Sequence, residues 1–421
     1  MKFVHAADLH IDSPLYGLCR YEGAPLEQIR GATRRALENL VKLCVDEAAE
    51  LLVLAGDLYD DDWRDYATGL FFAAQMAVLR EAGVSVVWIR GNHDAASKLT
   101  HHLRLPDNVR ELSHKRPETF VLEQLGVAVH GQSFPTRDVE EDLSLRYPAR
   151  LRDHFNIGLL HTALEGRDGH ARYAPCQVSA LVNHGYEYWA LGHVHRREIV
   201  KNEPWIVFPG NLQGRHARET GDKGATLVDV QGDRVSSLEH RALDVVRWFA
   251  LDVDVSSATD LDGVLDAVRE RLQSVVVTGA DGRLAAVRVR IVGSSSAHAE
   301  LERSTARLEA EVRALALDLR STEVWIEKVV LALRAPKARA LGLGDDALGQ
   351  MLRGIRSLEN DPAALTELAQ EVADLRRKLP ADLFEGPDAL DLESEDAMRE
   401  LLSEVAQSII PSLESSAEGG S

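Results

Sequence analysis

The chain has 421 residues, of which 45% are hydrophobic and 27% are charged. This balance excludes a collagen, a mostly disordered chain and a disulfide scaffold, and no run approaches the roughly 20 apolar residues of a membrane span. The net charge of −19 argues against a protein that holds nucleic acid by bulk positive charge. The N-terminus lacks the apolar run and cleavage site of a signal peptide, so we expect a cytoplasmic protein with no membrane attachment.

The acidity is concentrated near the C-terminus. Residues 341–421 contain 18 Asp or Glu residues and six Lys or Arg residues, whereas the rest of the chain is only mildly acidic. Some carboxylates of the main body are candidate metal ligands, and bound cations would invert the local field around them. The global charge therefore does not decide whether the partner is a nucleic acid.

The first 242 residues alternate short apolar runs with amphipathic stretches, which predicts parallel strand pairing in an α/β layered fold. The predicted strands cover residues 2–7, 51–55, 84–90, 127–130, 156–161, 188–191 and 206–209, and the predicted helices cover about residues 26–50 and 66–82. The later strands follow each other closely, so we expect antiparallel pairing among them. A hairpin-like pair at 225–230 and 234–239 is expected at the end of a mixed sheet.

A small α+β domain is predicted for residues 243–335, with strands at 246–253, 286–292 and 324–333 and helices at 261–272 and 299–315. An acidic helical tail is predicted for residues 336–421. Its helices are expected at about 345–358, 362–378 and 393–410, and the end from Ser415 is expected to be disordered. Apolar stripes at helical spacing run along two of these helices: Leu365, Leu368, Val372 and Leu375, and Leu401, Leu402, Val405 and Ile409. These stripes fit either a solvated bundle or a docking segment for a partner.

Five short polar signals follow predicted strands of the first domain. They are Asp8-Leu9-His10, Gly56-Asp57, Gly91-Asn92-His93-Asp94, the lone His161, and Gly192-His193-Val194-His195. Ligands of open α/β sheets bind in the crevice beyond the carboxyl ends of the strands. Each strand would therefore deliver metal-ligand side chains to one edge of the fold.

Carboxylate, amide oxygen and imidazole together make a mixed oxygen and nitrogen site that suits manganese, iron or zinc. Paired divalent ions about 3.5–4 Å apart clamp the attacking and leaving oxygens of an in-line displacement. Such a pair needs a carboxylate that contacts both ions, and Asp57 is our choice for this bridge.

These residues resemble the calcineurin-like metallophosphoesterase superfamily, whose pattern is D-x-H, GD, GNH[DE], a lone His and GHxH. The start of the chain together with the GNHD block is similar to the SbcD-type DNA repair nucleases, and most to the YhaO-type bacterial exonucleases. The resemblance implies a mixed β-sheet sandwich flanked by helices, followed by a small capping domain. It implies that Asp8, His10, Asp57 and His195 hold a first ion, and that Asp57, Asn92, His161 and His193 hold a second.

The resemblance further implies that the chain binds two manganese ions and is a metal-dependent DNA phosphodiesterase of DNA repair. We expect a 3′-to-5′ exonuclease that also has endonuclease activity. A metal-activated water would attack the phosphorus, and His93 would assist departure of the 3′ oxygen. Relatives act with an SMC-like ATPase of the SbcC or YhaN type, bound through C-terminal helices. By analogy we also expect a homodimer, and association with the nucleoid during action.

Two alternatives stay open. One is a phosphatase or phosphodiesterase that acts on small substrates within the same fold. The other is mainly a regulatory subunit of an SMC-like ATPase complex, which the long helical tail would suit. Co-purification with an ATPase and negligible activity of the isolated chain would favour the second.

Several further residues near the signals allow two interpretations each. Arg196, Arg197, Arg215 and Arg218 fit either phosphate contacts or solvated surface positions. Tyr59 and Trp63 follow Asp57 and could stack on a base. His216 could reach the site. Archaeal and eukaryotic members of the resembled family often have histidine at the position of Asp60, and bacterial members commonly have aspartate, so we interpret Asp60 as a mark of the bacterial subfamily.

Overall fold

The computed structural model describes residues 1–13, 25–60, 66–96, 104–166, 173–319, 322–334, 350, 353–354, 357–358, 361–376, 398–399 and 402. By contacts the chain divides into two compact units, Met1–Phe249 with Gly282–Ala286, and Ala250–Asp281 with Val287–Ser421. The predicted domain boundary at residue 243 stays a prediction. Within the described residues, no helix is both long enough and apolar enough to cross a bilayer.

The first unit is built from short strands and helices in alternation. Its strands are β1 (Lys2–Ala6), β2 (Leu51–Ala55), β3 (Ser85–Ile89), β4 (Val109–Glu111), β5 (Glu118–Leu122), β6 (Val127–Gly131), β7 (Phe155–His161), β8 (Tyr188–Gly192), β9 (Glu198–Asn202), β10 (Trp205–Phe208), β11 (Gly224–Gln231) and β12 (Arg234–Ala242). Its helices are α1 (Leu26–Arg30), α2 (Ala32–Asp46), α3 (Ala67–Glu81), α4 (Asn92–Ala96) and α5 (Val178–Asn183). Short 3-10 turns lie at Leu143–Arg146 and Leu164–Gly166.

Two mixed six-stranded sheets result, in the orders β12-β11-β1-β2-β3-β4 and β5-β6-β7-β8-β10-β9. The predicted mixed α/β fold with sheets flanked by helices is confirmed. The expected antiparallel pairing of the later strands is wrong for the centre of the second sheet, where β6, β7, β8 and β10 pair in parallel. The connections β6–β7 and β7–β8 are long enough to return the chain to the same end of the sheet.

The two sheets face each other across one apolar layer. Phe3, Val53 and Val87 of the first sheet and Ile157 and Leu159 of the second belong to this layer, and all are fully buried. Helices α2 and α3 cover the other face of the first sheet. Because strands such as β2 and β7 have both faces covered, they are buried at every residue instead of at alternate ones, and the β2 sequence Leu-Leu-Val-Leu-Ala is a continuous apolar run.

The first predicted helix is divided in the structure. Gly31 separates α1 from α2, and α2 ends at Asp46 rather than continuing to residue 50. The backbone N–H of Gly31 still donates to the Glu27 carbonyl, so the break is a local irregularity of a nearly continuous helix. Helix α5 and strands β4, β5 and β9 were not predicted, because each is short and only partly buried.

Buried His5 in β1 makes the stability of the fold depend on pH. Its Nε2 lies 3.1 Å from the Leu191 carbonyl oxygen and its Nδ1 lies 3.0 Å from the Tyr188 hydroxyl, which satisfies a neutral ring. Burial lowers the pKa of His5 from 6.5 to about 3. The unfolded chain therefore takes up this proton more readily, so stability is fully present above pH 6.5 and is lost as the pH falls towards 3.

We expect the His5 contribution to the free energy of unfolding to fall by about 2 kcal/mol between pH 7.5 and pH 5, at about 1.4 kcal/mol per pH unit below the unfolded pKa. The measurement is urea unfolding of the wild type and of His5→Gln at both pH values. The difference between the two proteins should shrink by that amount. A constant difference would contradict the prediction. His154→Gln is the control, since hydrogen bonding to the Arg152 carbonyl raises rather than lowers the pKa of this surface ring.

The second unit contains the three-stranded sheet β13-β14-β15. The strands are β13 (Val246–Asp254), β14 (Leu284–Ser294) and β15 (Val324–Arg334), of which β13 and β14 begin with residues of the first unit. The helices are α6 (Leu261–Arg271), α7 (His298–Arg303), α8 (Thr305–Leu317) and α9 (Pro362–Arg376). A π-helical segment, Leu272–Val277, continues α6. The predicted helix at 299–315 is interrupted at Ser304, where φ and ψ leave the helical region.

The predicted apolar stripes of the tail are described only in part. In α9, Leu365 is fully buried, and Leu368 and Val372 pack in the same cluster as Met398 and Leu402. Part of the first stripe is therefore covered from within the chain. Of the predicted helix at 345–358, only residues 350, 353–354 and 357–358 are described, and they are helical. Most of the predicted helix at 393–410 and the end from Ser415 lie outside the described residues.

Candidate metal centre

The polar signals of the sequence meet where strands of both sheets end. Asp8 and His10 follow β1, Asp57 follows β2, and Asn92 and His93 begin α4 directly after β3. His161 is the last residue of β7, and His193 and His195 follow β8. Because β1, β2 and β3 are parallel, and β7 and β8 are parallel, their carboxyl ends lie at the same rim.

Backbone strain is concentrated at this rim. Asp8, His10, Asp57 and His193 have positive φ angles of 52°, 44°, 52° and 98°. Such a conformation is uncommon for residues other than glycine and costs about 1–3 kcal/mol each. Strain at four neighbouring polar residues marks a functional site rather than a set of ordinary loop ends.

The predicted ligands form two groups of three, and a third group joins His10 to Asp60 and His93. Ligand atoms of Asp8, His10 and His195 lie within 4.8 Å of one another, and so do those of Asp57, His161 and His193. In the first group, Nε2 of His10 is 3.2 Å from Nε2 of His195. In the second, Nε2 of His161 is 3.4 Å from Asp57 Oδ2 and 3.0 Å from the side-chain oxygen of Asn92. The structure thus brings all seven predicted ligands together.

Three of the histidines are oriented by hydrogen bonds on Nδ1. The partner of His161 is the Ala55 carbonyl at 2.8 Å, that of His10 is Asp60 Oδ1 at 2.8 Å, and that of His195 is Glu219 Oε1 at 2.7 Å. We assign the proton to Nδ1 in each ring, because all three partners are acceptors. When a ring is neutral, its Nε2 would present a lone pair to the centre, as metal-bound histidines do.

The charge state of the centre also fits bound cations. Burial, together with the nearby Asp57 carboxylate, raises the pKa of Asp8 to about 8. Burial opposes the charged form of His161, but Asp57 outweighs it and raises the pKa of that ring to about 9. Burial lowers the pKa of His195 to about 4. A divalent cation replaces such protons when it binds, so this oxygen and nitrogen donor set fits divalent metal ions.

Asp94 ties two of the ligand-bearing loops together. Its carboxylate accepts backbone N–H groups of Leu58, Tyr59 and Gly91, each at 3.0 Å. Burial, with the Asp57 charge, raises its pKa to about 7 despite these bonds. Sequence analysis named Asp94 only as the last residue of the GNHD block, whereas the structure shows that it holds the Asp57 loop against the start of α4.

His93 lies beside both groups. Its backbone N–H donates to Asp57 Oδ1 at 3.1 Å, and its Nδ1 is 3.2 Å from Asp60 Oδ1. Asp60 also accepts from Nδ1 of His10 and from Ser13 Oγ, and it pairs with Arg215 at 3.1 Å. Burial opposes ionisation of Asp60, but His10 and Arg215 hold its pKa well below the usual range. Asp60 therefore links a candidate ligand to the candidate catalytic histidine.

Some of the accessory expectations are wrong. Tyr59 is 1% exposed and packs edge-on against Phe72, so it cannot stack on a base. Arg215 is not a solvated surface residue, because it pairs with Asp60 and Glu219 inside the site. Nε2 of His216 lies 3.7 Å from Glu219 and 33% of its side chain is exposed. Trp63 lies outside the described residues.

Glu219 is the residue that the sequence did not reveal. It follows His195 by 24 positions, within a segment that carries none of the five signals. Only its acidity beside Arg215 and His216 could have drawn attention to it.

Comparisons with known proteins agree with this geometry. The calcineurin-like phosphoesterase family matches residues 1–197, and the middle domain of metallophosphoesterase YhaO matches residues 248–334. The chain is 37% identical over 274 residues to a Bacillus subtilis (strain 168) protein described as uncharacterized metallophosphoesterase YhaO. The matched region covers 64% of this chain and 67% of that protein.

More distant relatives carry nuclease and repair names. The DNA double-strand break repair protein Mre11 of Methanopyrus kandleri is 28% identical over 58% of this chain and 57% of its own length. A Staphylococcus epidermidis protein named as a subunit of the nuclease SbcCD is 22% identical over 56% of this chain and 67% of its own length. The resemblance drawn from the five signals is confirmed, and the chain belongs to the calcineurin-like metallophosphoesterase family of hydrolases as a YhaO-type member.

Proposed function

We propose that this chain is a two-metal DNA phosphodiesterase of DNA repair, acting as a 3′-to-5′ exonuclease with a further endonuclease activity. The observation that carries the proposal is the pair of ligand groups with His93 beside both. The relatives named as an Mre11 repair protein and an SbcCD nuclease component support DNA as the substrate. Manganese is the proposed metal, and the donor types would also accept iron or zinc.

In this proposal Asp8, His10, Asp57 and His195 hold the first ion, and Asp57, Asn92, His161 and His193 hold the second. When bound, the two ions would supply a nucleophilic hydroxide and neutralise charge on the phosphoryl oxygens. Asp57 suits a position shared by both ions, because its Oδ2 atom lies beside His161 of the second group and its charge also acts on Asp8 and His10 of the first. Hydrolysis would be direct, without a covalent intermediate on the chain.

His93 is the proposed proton donor to the leaving 3′ oxygen. Because its Nδ1 is turned to Asp60, Nε2 is the nitrogen that would carry the transferred proton. The ring is 27% exposed, so a phosphodiester that enters from solvent can reach it. Asp60 would keep the ring in this orientation, as acceptors do for general acids elsewhere.

DNA contacts outside the centre are also proposed. Arg196 and Arg218 are exposed, one directly after His195 and the other in the loop that contacts it. Phosphate contacts of this kind position a duplex without reading its sequence. They allow an acidic chain to bind DNA through a local surface rather than through its net charge.

We further propose that an SMC-like ATPase of the SbcC or YhaN type docks on the C-terminal helices. The apolar cluster of Leu365 and Met398 is already covered within the chain, so support comes from the relative named as a subunit of the nuclease SbcCD and from the acidity of the tail. An acidic tail is ill suited to DNA and favours a protein partner. Homodimerisation, a cytoplasmic location and association with the nucleoid remain proposals by analogy.

A small-substrate phosphodiesterase is the second candidate. The relative at 37% identity is named a metallophosphoesterase without a stated substrate, which favours keeping this alternative. The chemistry at the metal centre would be the same, and only the size of the ester would differ.

The deciding experiment is hydrolysis of end-labelled linear DNA and of bis-p-nitrophenyl phosphate by the purified chain with manganese. We expect DNA cleavage, with a product ladder that shortens from the 3′ end, and no cleavage by Asp57→Ala. Turnover of the small ester without DNA cleavage, even after addition of the ATPase, would instead identify a small-substrate enzyme. A ladder that shortens from the 5′ end would refute the proposed polarity alone.

A further inference from the structure

The segment that follows β10, residues 211–223, contacts His195 from two sides. Glu219 Oε1 lies 2.7 Å from Nδ1 of the ring, and Nζ of Lys223 donates to the His195 carbonyl oxygen at 2.9 Å. Both contacting residues are 7% exposed. The ring and the backbone of this histidine are therefore fixed by one segment that carries no predicted metal ligand.

The Glu219 carboxylate is itself held by several donors. Its Oε2 accepts the side-chain N–H of Asn211 at 2.9 Å and the backbone N–H of Arg215 at 2.7 Å. Nη2 of Arg215 lies 3.5 Å from Oε1. The carboxylate is thus an oriented acceptor in a fixed place.

We propose that Glu219 is a positioning residue for His195 and sets the affinity of the ion held with Asp8 and His10. This inference rests on the proposed two-metal function. The hydrogen bond fixes the proton on Nδ1 and aims Nε2 at the first ligand group. Such partners of ligating histidines typically contribute 10–100-fold to metal affinity or activity.

The second ligand group has no equivalent dependence on Glu219. His161 is oriented by the Ala55 carbonyl, which belongs to the backbone of β2. The Asp57 group therefore keeps its geometry when Glu219 is changed. The expected signature is a loss confined to one of the two ions.

The test is manganese titration of the full chain, with free Mn²⁺ measured by electron paramagnetic resonance. We expect the wild type to bind two ions, and Glu219→Gln to lose about 10–100-fold in affinity for one of them while it keeps the other. Glu187→Gln is the matched control. Glu187 likewise accepts a backbone N–H and a side-chain amide from Asn156 and pairs with Arg150, but its contacts include no site histidine.

A double-mutant comparison separates positioning from general stabilisation. If Glu219 acts through His195, then Glu219→Gln combined with His195→Ala should bind manganese no more weakly than His195→Ala alone. Additive losses, equal losses at both ions, or affinities within threefold of the wild type would each overturn the proposal. Manganese binding is measured without DNA. The predicted role of Glu219 can therefore be wrong while the wild type still cleaves DNA, and the role of Glu219 can be right while the wild type cleaves no DNA.

Discussion

Asp57→Ala is expected to abolish the binding of both metal ions, whereas His93→Ala should keep both ions and still lose hydrolysis. Asp57 is the carboxylate proposed to contact both ions, and it stands within the Asp57, His161 and His193 group. Its removal should lower hydrolysis by at least about 10³-fold, because metal ions contribute several kcal/mol and each 1.4 kcal/mol is tenfold. Loss of a general acid typically costs about 10²–10⁴-fold.

The reason for the difference lies in which atoms of His93 contact the centre. Its backbone N–H, not its ring, bonds to Asp57 Oδ1, and alanine retains that N–H. The ring contacts Asp60, which remains bonded to His10 and Arg215 after the ring is removed. His93→Ala therefore removes a proton donor without removing a support of the ligand groups.

The measurement combines manganese stoichiometry with the rate of DNA cleavage under saturating metal. His154→Ala is the control, because this ring hydrogen-bonds to the Arg152 carbonyl at the surface and should leave both quantities unchanged. If His93→Ala lost metal to the same extent as Asp57→Ala, the catalytic role assigned to His93 would be wrong. If it bound two ions and cleaved DNA at the wild-type rate, that role would be wrong as well.

The sequence predicted the strands that carry the ligands because their signals are local. Each of β1, β2, β3, β7 and β8 is a mainly apolar segment that ends at, or is closely followed by, a polar residue of a metal-ligand type. Strand order and direction depend on contacts between distant segments. This is why the parallel pairing of β6, β7, β8 and β10 was missed, although every one of these strands was located.

The residues that hydrogen-bond to the ligands could not be predicted from local sequence either. Asp60 lies three residues after Asp57 and was noticed, but nothing local showed that it would contact both His10 and His93. Glu219 reaches His195 only because the chain turns back after β10. Hydrogen bonds that orient ligands are made across long sequence distances, so the sequence revealed the ligands far better than their supports.

Gly91→Ala is expected to disable the centre as thoroughly as loss of a ligand, although glycine coordinates nothing. A Cβ atom at this position would lie 2.2 Å from Asp57 Oδ1 and 2.8 Å from Cε1 of His161. The φ angle of Gly91 is not positive, so the cost comes from space and not from backbone conformation. The methyl group must displace the bridging carboxylate or a histidine of the same ligand group.

We expect Gly91→Ala to weaken manganese binding and to lower hydrolysis by at least about 10³-fold, as for loss of the bridge itself. Gly31→Ala is the matched control, because its added Cβ would meet only the Glu27 carbonyl oxygen, at an ordinary 3.4 Å. Circular dichroism of both variants checks the fold. A Gly91→Ala protein that is folded, binds two manganese ions with wild-type affinity and cleaves its substrate normally would show that the space around Asp57 is not needed. The position of the carboxylate would then not be what limits the reaction, and the bridging role of Asp57 would have to be abandoned.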